Sequence, residues 1–254
     1  MKLRILGCSG GIGGSLRTTS MLLDQDVLID AGTGVSDLGL EELSLIDHVF
    51  LTHSHLDHIT SIPFILDSVA SMRNRPLIIY AIGETLTALK QHIFNWKIWP
   101  DFSQIPNPQN PYMNYQAISL GETVKLNGRA ITVLPANHVV PAVAYQLDSG
   151  KCSLVYTGDT TTQDVFWEIV NKVSNLGYLI IETAFPNADK ELAILSKHLC
   201  PSMLAEELMK LKLKPQIYIS HLKPGEGELT MLEVKECVRG NSPSMLKSGQ
   251  IFEF

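Results

Sequence analysis

Phe50-Leu51-Thr52-His53-Ser54-His55-Leu56-Asp57-His58 concentrates the chemistry of this chain. Three of its eight histidines and one aspartate fall within six positions, directly after the apolar run that begins at His48. If residues 48–52 form a strand, the period of two carries His53 and His55 to one side as the chain leaves the sheet. A turn after Leu56 then swings Asp57 and His58 to a second, adjacent position. Imidazole nitrogen with carboxylate oxygen suits zinc, iron or manganese. A His–His pair beside an Asp–His pair suits two metals sharing one site. A polar turn that happens to hold histidines is a poor alternative, because the spacing of four ligands is too specific.

The rest of the chain bounds what such a site can serve. With 254 residues and 45 % hydrophobic content, the chain can bury a sizeable core and reads as one domain over residues 1–254. Charged residues make up 18 %, the net charge is −6, and no basic run is long enough for a nucleic-acid footprint. A polymeric nucleic-acid partner is therefore not expected. Met1 to Gly7 lacks the apolar core of a signal peptide, and no run of about 18 apolar residues follows. The expectation is a soluble cytoplasmic protein with no membrane partner. Cys8, Cys152, Cys200 and Cys237 are scattered without a Cys-x-x-Cys pair, which points to free thiols and not to disulfides or thiolate metal sites.

Patterning predicts an opening strand at 2–6 that runs into the glycine-rich stretch 7–14, and a hairpin of 20–23 with 27–30. That loop lacks the lysine of a P-loop and is read as a segment beside the site. A helix is expected over 57–70 despite Pro63, a strand at 77–80 and a helix at 84–94. Residues 95–112, with four prolines and four aromatics, read as a long ordered loop. Its aromatics could stack on a planar base, or pack the loop onto the core or a dimer partner. Short strands at 117–120, 123–126, 130–134, 142–147 and 153–156 then give way to alternation. Helices are expected at 163–173, 201–211 and 230–238, with strands at 178–182, 216–220 and 249–254. Strands in the first half and strand–helix alternation in the second predict an α/β (α+β) four-layer αββα sandwich.

His53-Ser54-His55-Leu56-Asp57-His58 resembles the His-x-His-x-Asp-His metal signature of the metallo-β-lactamase superfamily. With Ile59-Thr60-Ser61 behind it, the form resembles the class II 3′,5′-cyclic-nucleotide phosphodiesterases. The later candidates arrive in the superfamily's order at the ends of expected strands: His138, Asp159 and His221. The resemblance implies His53, His55 and His138 on one metal, Asp57, His58 and His221 on the other, and Asp159 bridging both. It also implies that Asp30, at the end of the second hairpin strand, braces a ligand histidine. His48 and His92 are read as structural.

Residues 181–186, Ile-Glu-Thr-Ala-Phe-Pro, and 196–201, Ser-Lys-His-Leu-Cys-Pro, resemble the later block of the same phosphodiesterases. Lys197 stands where that family has glycine, and Cys200 where it has threonine. The resemblance implies His198 as a phosphate-side general acid or electrostatic stabiliser, Glu182 as its partner, and Asp57 as ligand and proton acceptor. Residues 94–102 resemble the family's insertion, which nominates Asn95, Trp99 and Phe102 for substrate binding. The expected reaction is hydrolysis of cAMP or cGMP with two divalent ions, zinc first and then iron or manganese. The expected partner is a small-molecule cyclic nucleotide, and a homodimer is a candidate assembly through the aromatic loop. The rivals are a transfer-RNA 3′-processing enzyme, a lactone or thioester hydrolase, and a non-catalytic di-iron sensor.

Overall fold

The computed structural model describes residues 1–254. Fourteen strands run in chain order as β1 (Lys2–Gly7), β2 (Ser20–Leu23), β3 (Val27–Ala31), β4 (His48–Phe50), β5 (Leu77–Ala81), β6 (Met113–Ala117), β7 (Thr123–Leu126), β8 (Arg129–Pro135), β9 (Val143–Asp148), β10 (Ser153–Tyr156), β11 (Leu176–Glu182), β12 (Gln216–Ser220), β13 (Ser244–Met245) and β14 (Ile251–Glu253). Eight helices lie between them: α1 (Leu40–Leu45), α2 (Leu56–Ile59), α3 (Ile62–Val69), α4 (Gly83–His92), α5 (Val165–Val170), α6 (Lys190–Leu195), α7 (Pro201–Leu208) and α8 (Gly227–Cys237). One seven-stranded sheet has the order β14-β1-β2-β3-β4-β5-β6 and the other β13-β12-β11-β10-β9-β8-β7.

The period of two builds three apolar interfaces from these strands. Met21, Leu23, Val27 and Ile29 face the second sheet, where Leu154, Tyr156 and Ile180 meet them. Their neighbours Leu22 and Leu28 point outward to the helices over the first sheet. Val155, Leu179 and Ile181 point outward to the helices over the second. The expected αββα sandwich is what the chain forms. No helix is long and apolar enough to cross a membrane.

Strands β3, β4 and β5 are mutually parallel, as are β10, β11 and β12. Their carboxyl ends deliver side chains to one edge of each sheet, which is where open α/β sheets place ligands. Residues 57–70 fold as two helices, α2 and α3. Pro63 lacks an N–H and clashes with the carbonyl four residues back, so the chain restarts its helix with Pro63 in the first turn. The strand expected at 117–120 lies earlier, at β6. This edge strand pairs only with β5 and exposes Asn114, Gln116 and Ala117, so it carries little apolar signal. Helices α1 and α6 and the two-residue β13 are too short for periodicity to reveal.

Candidate metal centre and active site

Six chain segments deliver the site. The turn from β4 into α2 carries His53, His55, Asp57 and His58, and the connection from β8 to β9 carries His138. The ends of β10, β11 and β12 carry Asp159, Glu182 and His221, and the turn between α6 and α7 carries His198. Gly158, at φ +60°, lets the chain turn between Thr157 and Asp159 beside Thr52. At Gly10 a Cβ would lie 2.5 Å from the His221 carbonyl oxygen, so the glycine-rich loop folds directly against a ligand residue.

The ligand atoms fall into two groups. His53, His55, His138 and Asp159 form one, and Asp57, His58, Asp159 and His221 the other, with the atoms of each group within 4.8 Å of one another. Asp159 divides its oxygens between them. Its Oδ2 lies 3.6 Å from His53 Nε2 and 3.9 Å from His138 Nε2, while its Oδ1 lies 3.4 Å from His58 Nε2 and 3.2 Å from His221 Nδ1. Asp57 Oδ2 sits 3.7 Å from His58 Nε2 and 3.9 Å from His221 Nε2.

A metal fits these residues because four of their inward atoms are otherwise orphaned. His53 Nε2, His58 Nε2, His221 Nδ1 and Asp159 Oδ1 are buried without a hydrogen-bond partner in the chain. Such groups are costly unless something bonds them. The outward nitrogens are engaged. His58 Nδ1 meets Asp30 Oδ2 at 2.8 Å, His53 Nδ1 meets Thr52 Oγ1 at 3.0 Å, and His138 Nδ1 donates to the Lys197 carbonyl at 3.0 Å. Those bonds aim the opposite nitrogen into the site. Asp30 also accepts from the Thr52 N–H at 2.8 Å and the Tyr156 hydroxyl at 3.2 Å, so it braces His58 as the sequence predicts. The donor set suits divalent metal ions, and its two groups share Asp159.

Electrostatics prepares the ligands. Burial disfavours the charged imidazole at His53 and His55, and it pushes His138 down to about 4 and His221 to about 3. These rings stay neutral and keep a lone pair for a metal. Burial alone would raise the Asp159 carboxyl, but the imidazoles around it, His221 and His58 foremost, hold it well below the usual carboxylate range. At His58 burial opposes the charge, yet Asp159 and Asp30 outweigh it and raise its pKa. A proton and a metal therefore compete for its Nε2.

His198 sits against this centre, its ring 4.9 Å from that of His138 and 5.1 Å from that of His221. Its Nδ1 meets Glu182 Oε1 at 2.6 Å, and Nε2 is left free. Glu182 is fully buried and also accepts the backbone N–H groups of Thr160 and Leu199. Burial works against the charged ring, but the Glu182 carboxylate outweighs it and raises the His198 pKa.

Asn95, Trp99 and Phe102 are not brought to the ligands. Phe102 is buried among the side chains between the first sheet and its outer helices, and Trp99 packs there against Phe64 of α3. Asn95 spends its Oδ1 on the N–H groups of Lys97 and Ile98. Sequence reasoning also missed the role of Lys197. Its Nζ donates to Asn137 Oδ1 at 3.2 Å and the His138 carbonyl at 3.1 Å, clasping the ligand loop. It does so at φ +52°, a left-handed conformation that a glycine would adopt freely. A lysine in a family glycine position was the available signal.

The fold and these donor groups define a metallo-β-lactamase-type protein with a site for divalent metal ions. The chain belongs to the beta-lactamase superfamily: the family model described as a beta-lactamase superfamily domain matches residues 25–230. A probable 3′,5′-cyclic-nucleotide phosphodiesterase of Yersinia pestis is 29 % identical over 235 residues, covering 77 % of this chain and 63 % of that protein. A 3′,5′-cyclic-nucleotide phosphodiesterase of Aliivibrio fischeri is 27 % identical over 224 residues, covering 78 % and 66 %. The chain thus spans less than two thirds of either relative's length. The crystal structure of unliganded yeast PDE1 superposes with a TM-score of 0.81 at 17 % identity, covering 100 % of this chain and 99 % of that one, which is a likeness of fold.

Proposed function

We propose that this protein hydrolyses 3′,5′-cyclic nucleotides, cAMP or cGMP, to nucleoside 5′-monophosphates. The observation that carries the reading is the His198–Glu182 pair at 2.6 Å, set against two candidate ligand groups that share Asp159. An acyl hydrolase has no need of a buried, carboxylate-braced imidazole facing the metals. The names of the Yersinia pestis and Aliivibrio fischeri relatives support the same substrate class.

His53, His55 and His138 would hold one ion, Asp57, His58 and His221 the other, and Asp159 both. We assign zinc to them, with iron and manganese as ions that the same donors accept. Bound there, divalent ions supply Lewis acidity that lowers the pKa of water and neutralises phosphate oxygens. The chain's own groups then manage protons. Asp57, whose side chain is 29 % exposed and so reaches the opening, accepts the proton of the attacking water. As oxygen bonds to phosphorus and the bond from phosphorus to O3′ breaks, His198 Nε2 gives its proton to O3′. Glu182 keeps the ring charged and oriented at Nδ1. The 5′-ester bond survives, so the product is the 5′-monophosphate. The four unpaired thiols support a cytoplasmic setting for this reaction.

The test is a side-by-side assay of metal-loaded protein on cAMP, cGMP, bis(p-nitrophenyl) phosphate and a homoserine lactone. Turnover of the cyclic nucleotides is expected; lactone turnover with inert phosphodiesters would sink the proposal.

A further inference from the structure

With Trp99 and Phe102 packed against the first sheet and its helices, the part of the substrate beyond the phosphate needs another surface. A cavity of about 520 Å³ opens directly beside ligand His138, which forms part of its wall. Ile82 and Glu84 at the β5–α4 turn line one side, and Ile118 and Leu120 before β7 line another. Val139 and Pro141 of the His138 loop complete it. The cavity is tied to the metal centre at its base. The Val143 N–H donates to the carbonyl of Thr52, the residue before ligand His53, at 3.0 Å, and the Ile118 N–H donates to Ala81 at 3.0 Å. Leu120 and Val139 are 61 % and 50 % exposed at its rim, large apolar groups that a ligand would cover. Its size falls within the range of about 300–1,000 Å³ usual for small-molecule sites, and eight of its fourteen lining residues are hydrophobic, mixed with polar ones.

We propose that this cavity is the subsite for the nucleobase of the cyclic nucleotide. The proposal rests on the phosphodiesterase reading above. In a 3′,5′-cyclic nucleotide the ribose separates the phosphate from the base, so a phosphate held at the metals and His198 projects the base away from them. The cavity is the opening beside the ligand loop, with His138 in its wall. Leu120 and Val139 lie against the base faces, and the Glu84 carboxylate, which can only accept, takes hydrogen bonds from the base edge. Guanine presents two adjacent donors on one edge, N1–H and the 2-amino group. Adenine presents only the 6-amino group next to an acceptor nitrogen. Glu84 therefore favours guanine.

The experiment compares kcat/KM for cGMP, cAMP and methyl riboside 3′,5′-cyclic phosphate, which keeps the cyclic diester but lacks the base. Wild-type protein is measured beside Leu120→Arg and Glu84→Gln, both at exposed positions where folding tolerates change. Expected is a wild-type preference for the nucleotides over the base-free diester on the order of tenfold or more. Leu120→Arg should erase it, and Glu84→Gln should lower the cGMP-to-cAMP ratio by about tenfold. If the wild type turns over all three diesters without preferring the nucleotides, or if Leu120→Arg keeps the preference intact, the subsite is overturned while the phosphodiesterase reading stands. If the wild type turns over none of the diesters while hydrolysing a lactone, both fall. A nucleotide preference that Leu120→Arg removes but Glu84→Gln leaves unaltered in base selectivity overturns the role of Glu84 alone.

Discussion

Two stretches stand out in this sequence, the histidine cluster at 53–58 and the aromatic loop at 95–112, and the fold treats them in opposite ways. Every ligand-type residue of the first converges on one centre, and His53 Nε2 and His58 Nε2 are buried there without a partner in the chain. The second sends Phe102 into the core and Trp99 onto Phe64. The difference lies in what burial costs. Two fully buried imidazoles with unpaired nitrogens, His53 and His58, are costly without a partner, so their clustering points to a function. Tryptophan and phenylalanine gain by burial anywhere, so their clustering fits packing as well as recognition.

The comparison is broken most directly at Asp159. Asp159→Ala removes the one carboxylate that serves both ligand groups. Turnover should fall by more than about 10³-fold, because several kcal/mol of charge stabilisation go with the ions. Elemental analysis after dialysis should show metal lost from the protein; full metal content would end the bridging assignment. His198→Ala should cost about 10²–10⁴-fold in turnover while the metal content stays intact, since His198 meets the centre without belonging to either ligand group. On the other side of the comparison, Phe102→Ala should destabilise the fold by about 3–5 kcal/mol in urea titration. Its KM for substrate should hardly move; a tenfold rise in KM with stability unchanged would return the loop to the substrate side.

Lys197→Gly sharpens the picture on a smaller scale. Glycine relieves the left-handed backbone, worth about 1 kcal/mol, yet loses the clasp on Asn137 and His138. Chelator competition should show metal affinity about tenfold weaker while thermal stability is unchanged or higher. Unchanged affinity would leave Lys197 without a role at the ligand loop. The smallest effect lies far from the metals, where Arg129 bonds Asp26 at 2.7 Å. Burial alone would raise the Asp26 carboxyl, but the Arg129 hydrogen bonds and charge lower it. With a lowered folded value, its contribution is fully present above the ordinary value of 3.8 and is lost as pH falls through the folded one. Asp26→Asn should therefore cost on the order of 1 kcal/mol near neutral pH and nothing in strong acid. A gap that persists at low pH would argue that the ion pair is not its source.

Much of the centre was legible because the chemistry is local or falls at strand ends. The cluster declared itself by spacing, His138, Asp159 and His221 by their order behind strands, and Glu182 and His198 only through their resemblance to the later phosphodiesterase block. Less legible were features that depend on distant neighbours. Thr52 looks like a strand residue until it is seen between Asp30 and His53, and Lys197 like a surface lysine until its ammonium reaches the His138 carbonyl. The helix expected over 57–70 despite Pro63 divides in two, and where the second resumes depends on Ser61 and Ile62 closing against the first sheet.

The sequence by itself determined the αββα layering and the identity of the ligand candidates, because period-two burial and metal-donor chemistry are properties of the residues. Only the tertiary structure decided how Asp159 shares its two oxygens, which way each imidazole faces, and that the open apolar cavity lies beside His138 and not under the tryptophans. Those outcomes depend on where parallel strands from two sheets end in space, a relation between segments more than a hundred residues apart that no local pattern encodes.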